Sequence, residues 1–140
     1  MKQVEEEWKE RTIQANLNFN KCHYWDALKG YKAALKSAEQ LNLHGADCLD
    51  LQIPYIQVFI ISCNNLSHTY TALGKIQLAE SMLRRSIYFL IHVYENERLA
   101  QDQFASELKR ATVGYSLFTK QFKAFNNTKD QLYKTINQLL

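Results

Sequence analysis

Apolar residues return every three or four positions along most of the chain, the period of helices with one buried face. The first such segment runs from near Lys2 to Asn20. The second, YWDALKGYKAALKSAEQLNL, sets Tyr24, Ala27, Leu28, Tyr31, Ala34, Leu35 and Ala38 on one side, with Asn42 and Gly45 as stop signals. HGADCLDLQ reads as a loop, with Asp50 or Gln52 as a cap and Pro54 in the first turn of a third helix. That helix spans about 53–73 and stops at Gly74. A fourth, about 76–94, buries Ala79, Met82, Leu83, Ile87, Leu90 and Ile91. Asn96 separates it from a fifth, about 97–124. NNTKD then makes a turn, and Asn127 or Thr128 caps a last helix ending near Leu139.

No alternating, strand-like run competes with this reading. Four Gly and one Pro supply too few tight turns for an all-β chain. The expectation is an all-α fold of about six antiparallel helices in three pairs. With 140 residues and no low-complexity linker, residues 1–140 are expected to form a single domain.

One helix pair carries a recognisable register. Asn65-Leu66, Tyr70, Gly74, Ala79 and Leu83 resemble the tetratricopeptide repeat (TPR), in which Tyr fills the space between layers, Gly makes the turn and a small Ala admits close helix approach. A weaker copy holds Ala15, Asn16, Tyr24, Ala27, Tyr31 and Ala34-Leu35, with Cys22 at the turn position where Gly is usual and Gln14 in place of Leu. Ala27 and Ala79 lie 52 residues apart, beyond the usual period of about 34, so the intervening segment is longer than the family's. Residues 97–139 have the length of a third pair without its signature. The resemblance implies a TPR-like right-handed array with a concave surface lined by the first helix of each pair.

The third helix carries no Asp, Glu, Lys or Arg over residues 51–74. The run 51–74 is too polar to face lipid, since it includes Gln52, Gln57, Asn64, Asn65, Ser67 and His68. Gln57, Asn64, His68 and Thr71, flanked by Ile60 and Ile61, share a face that would line the implied groove, opposite Lys9, Thr12, Asn16, Phe19 and Asn20. The competing reading encloses this helix entirely and requires hydrogen-bond partners for a buried Asn64 and His68. Some TPR proteins grip a peptide's terminal carboxylate with two asparagines and several basic residues. Asn16 and Asn65 match those asparagines, while Thr12 stands where the first clamp lysine belongs.

Charge changes this picture little. The net charge of +3 divides into −1 over 1–11, +1 over 12–49, −1 over 50–97 and +4 over 98–140. Lys109, Lys120 and Lys123 form a stripe opposite Phe104, Leu108, Ala111, Tyr115, Phe118, Phe122 and Phe125. A solvated face accounts for it, and core-side aromatics cannot stack on bases, so no nucleic acid is expected. Cys22, Cys48 and Cys63 cannot all pair and form no CxxC, which fits reduced thiols in the cytoplasm. No signal peptide and no membrane span is expected.

His44 with Cys48 has helical spacing but no further convergent ligands, and the pairs Cys22-His23 and Cys63 with His68 add none, so no metal or cofactor is expected. No GxSxG, HExxH or phosphate-binding glycine loop occurs, and Asp47 and Asp50 read as solvated or capping carboxylates. The chain therefore reads as a noncatalytic adaptor that binds a peptide or protein segment through Asn16, Phe19, Asn20, Gln57, Ile61, Asn64, His68 and Thr71. The alternatives are a self-associating structural protein, such as a homodimer docked through an unpaired end of the array, and a small-ligand sensor.

Overall fold

Helical periodicity is realised throughout. The computed structural model describes residues 1–139, in which seven α-helices occur and no strand. They are α1 (Lys2–Asn20), α2 (Tyr24–Leu43), α3 (Gly45–Asp50), α4 (Tyr55–Ala72), α5 (Ile76–Glu95), α6 (Gln101–Gln121) and α7 (Asn126–Leu139), with a 3-10 turn at Lys123–Phe125. The chain packs as two compact units, Met1–Met82 and Leu83–Leu140.

In the first unit, α1 and α2 form a close antiparallel hairpin and α4 packs on α2. Small residues set the approach: Ala15 of α1 is buried, and a Cβ added at Gly30 of α2 would sit 2.9 Å from the Ala15 Cβ. Polar ties cross the same layers. Arg11 Nη1 donates to Ser37 Oγ at 2.9 Å, and buried Trp8 donates its indole N–H to Ser62 Oγ of α4 at 2.7 Å. Ser62 in turn donates to the Val58 carbonyl.

The charge-free run is explained by α4, where eleven of eighteen residues are buried. Ionised side chains would be costly there. Its hydroxyls satisfy themselves on backbone: Thr69 on Asn65 and Thr71 on Ser67, while Ser67 reaches the Ala79 carbonyl at the start of α5.

Four helices end in one device. Beyond α1, Cys22 has φ +62°, with Cys22 N–H on Phe19 O and His23 N–H on Asn18 O. Gly74 (φ +74°) repeats this after α4, Gln52 (φ +56°) after α3 and Glu97 (φ +59°) after α5, each followed by an N–H that returns five residues. This left-handed residue and its paired bonds are the Schellman termination, which satisfies the last carbonyls of a helix. Five residues after Cys22 and after Gly74 stand Ala27 and Ala79, both fully buried.

In the second unit, the later part of α5 buries Ile87, Leu90, Ile91 and Val93, and α7 buries Leu132 and Ile136. Tyr94 stacks on Phe104 of α6, with ring centroids 4.1 Å apart. The expected face of α6 is buried at Phe104, Leu108, Tyr115 and Phe118, with Ala111, Phe122 and Phe125 partly covered.

Several element boundaries differ from the sequence reading. The loop at 44–52 contains α3, because Cys48 is buried and its neighbours close a helical turn around it. Neither Asp50 nor Gln52 caps α4: Gln52 occupies the left-handed turn, and Pro54 is itself the N-cap. The reversal around Glu97 uses residues 96–100, so α6 starts at Gln101. It ends at Gln121, where Phe122 departs from helical geometry. Asn127 and Thr128 lie inside α7, which begins at Asn126.

Candidate functional site

A pocket of about 240 Å³ opens between α1, α2 and α4, lined by Asn16, Phe19, Asn20, Tyr31, Asn65 and His68. Spacing along the helices builds it. Asn16 and Asn20 lie one turn apart on α1, with Phe19 beside them, and Asn65 and His68 lie three apart on α4. Phe19 is held edge-on to Tyr24, with ring centroids 5.1 Å apart.

Tyr31 organises the polar wall. Its phenol donates to Asn16 Oδ1, which fixes the Asn16 amide with its NH2 group as the remaining functional end. Burial raises the Tyr31 pKa above its ordinary value, so the phenol stays a donor at neutral pH. No lining residue is Asp, Glu, Lys or Arg. Three carboxamides and an imidazole can donate to and accept from one ligand, while the Phe19 ring offers an apolar edge. That chemistry suits a neutral hydrogen-bonding chain better than an isolated charge.

Of the eight residues expected from sequence, the pocket brings together Asn16, Phe19, Asn20 and His68. Gln57 and Ile61 are exposed on α4, and Asn64 and Thr71 are half-buried; none of these four lines the pocket. Thr71 spends its hydroxyl on the Ser67 carbonyl. His68 is exposed, so α4 is not enclosed on this side. Thr12, expected to face the groove, is instead buried, and its Oγ1 has no partner among the described residues. Lys9 is exposed and pairs with Glu5 and Glu6 of its own helix. The spacing of Tyr31 places it in the core, and it is buried there. The signal for its second role is chemical, since a buried phenol needs a hydrogen-bond partner.

Other chemistry-bearing groups stand apart. Cys48 is buried, donates its thiol to the Leu41 carbonyl, and has its pKa raised chiefly by desolvation. Among the described residues, no three His, Cys, Asp or Glu side chains converge as a metal site, and no helix is long and apolar enough to cross a membrane.

Residues 6–139 match the model of DUF2753, described as a protein of unknown function. The chain belongs to the DUF2753 family. No curated protein and no solved structure matches it. For this DUF2753 chain the hairpins, their turns and the pocket are therefore the material from which function is argued.

Proposed function

We propose that this DUF2753 chain is a noncatalytic protein-interaction module of TPR-like build, holding an extended peptide segment against α1 and α4. The observation that carries the reading is the pocket lined by Asn16, Asn20, Asn65 and His68 around an apolar edge at Phe19. Carboxamides pair well with a peptide backbone, because each presents one acceptor and two donors. The exposed Gln57 and Ile61 extend the same side of α4 and would carry the segment beyond the pocket.

The TPR-like build is supported by equivalent left-handed turns at Cys22 and Gly74, each followed five residues later by a fully buried alanine. Recognition by a terminal-carboxylate clamp of two asparagines and several basic residues is disfavoured, since Thr12, at the first clamp lysine's position, is uncharged and buried. A random-peptide display selection tests the function. Wild type should enrich a peptide class that the Asn20→Ala, His68→Ala double variant fails to retain, with stability lowered by no more than about 1 kcal/mol, since both residues are exposed. Equal enrichment on the folded double variant would refute this site, and no enrichment on wild type would refute the function.

A further inference from the structure

Two exposed surfaces outside the pocket carry opposite charge around an apolar centre. The first surrounds α3. Leu43, at the end of α2, is 81% exposed, Leu49 is 64% exposed, and Leu51 is also exposed, while the carboxylates Asp47 and Asp50 flank them. Single exposed leucines are ordinary, but three within nine residues, on and around one six-residue helix, concentrate exposed apolar surface there as the α3 ridge.

The second surface lies in the other unit, where α6 and α7 enclose a groove of about 480 Å³. Its lining includes Val113, Leu117 and Lys120 of α6 and Tyr133 and Ile136 of α7. Val113 and Leu117 are 53% and 62% exposed. Lys109, Val113, Leu117 and Lys120 fall along one side of α6 at spacings of four, four and three. The aliphatic pair is thus bracketed by ammonium groups. Neither Asp47 and Asp50 nor Lys109 and Lys120 form an ion pair among the described residues.

We propose that the α3 ridge of one molecule docks in the α6–α7 groove of a second copy of this chain, head to tail. The ridge offers leucines to Val113, Leu117 and Ile136 in a groove that is part apolar and part polar, and its carboxylates meet Lys109 and Lys120. An apolar centre with a complementary charged rim is the usual anatomy of a protein interface. Nucleic acid would leave Val113 and Leu117 unused, and the ring that lines the groove, Tyr133, is held against α6 by its hydrogen bonds to Ser116 and the Thr112 carbonyl. Because ridge and groove are different surfaces, the contact is heterologous, and each molecule keeps one free ridge and one free groove.

That asymmetry supplies the test. Light scattering on wild type should show a mass above the monomer that rises with concentration. Raising salt from about 0.05 to 0.5 M should weaken association by on the order of tenfold, because the charged rims are screened. Leu49→Gln and Leu117→Gln should each be monomeric with unchanged helicity. Mixed together they should form a one-to-one dimer and nothing larger, since the first retains its groove and the second its ridge. Wild type that stays monomeric overturns the proposal, and oligonucleotide binding by that monomer would reassign the lysines. Variants that associate like wild type, or a mixture that stays monomeric, also overturn it. Should either variant misfold, the wild-type salt series decides alone: association insensitive to salt rejects the paired rims.

Discussion

Cys22 shows how a single residue can hold a position its chemistry does not favour. A non-glycine residue in the left-handed region costs roughly 1–2 kcal/mol, and Cys22, Gln52 and Glu97 all sit there. Cys22→Gly should raise stability by about 1 kcal/mol, the relief exceeding the extra backbone entropy of glycine. A rise of about 2–4 °C in Tm would register it, and an unchanged or lower value would mean the turn is not strained. The turn at Cys22 was legible only through the repeat register; those at Gln52 and Glu97 were not, because neither side chain announces a left-handed backbone. Tyr31 has a sharper role. Tyr31→Phe removes the donor that orients Asn16, so affinity for a selected peptide should fall about tenfold while stability drops by about 1 kcal/mol. Unchanged affinity would show that the orientation of Asn16 does not matter.

At the scale of elements, the same substitution has opposite consequences in two helices. Ala stabilises a helix interior over Gly by about 1 kcal/mol. At Gly114 of α6 nothing lies within 4 Å of the added Cβ, so Gly114→Ala should raise stability by about that amount. At Gly30 the Cβ would press on Ala15, whose own Cβ cannot move without parting α1 from α2. Gly30→Ala should therefore lower stability, by about 1–3 kcal/mol of overpacking less the helical gain. Chemical denaturation of both variants checks the contrast; two shifts of the same sign would contradict the packing described for the first hairpin. The seven long and short helices were mostly legible, since period, charge and glycine placement agree. The exceptions have tertiary causes. Burial of Cys48 draws a polar connection into α3, and the left-handed reversal at Glu97 delays α6 to Gln101.

For the molecule as a whole, polarity along α4 is the feature that joins the fold to the proposed function. Its missing charges follow from burial on most of its circumference, yet Gln57, Ile61 and His68 remain exposed. Periodicity alone could not separate those two faces, because buried Ser62, Ser67 and Thr69 are as polar in sequence as the exposed residues. Their backbone and side-chain partners become evident only in three dimensions. The central claim is that the pocket formed by Asn16, Asn20, Asn65 and His68 receives a peptide. Titration of a display-selected peptide into isotopically labelled protein, followed by nuclear magnetic resonance, tests it most directly. The side-chain amide signals of Asn16, Asn20 and Asn65 and the His68 ring signals should shift together with one affinity. Shifts confined to other surfaces, with those four residues unmoved at saturation, would contradict it.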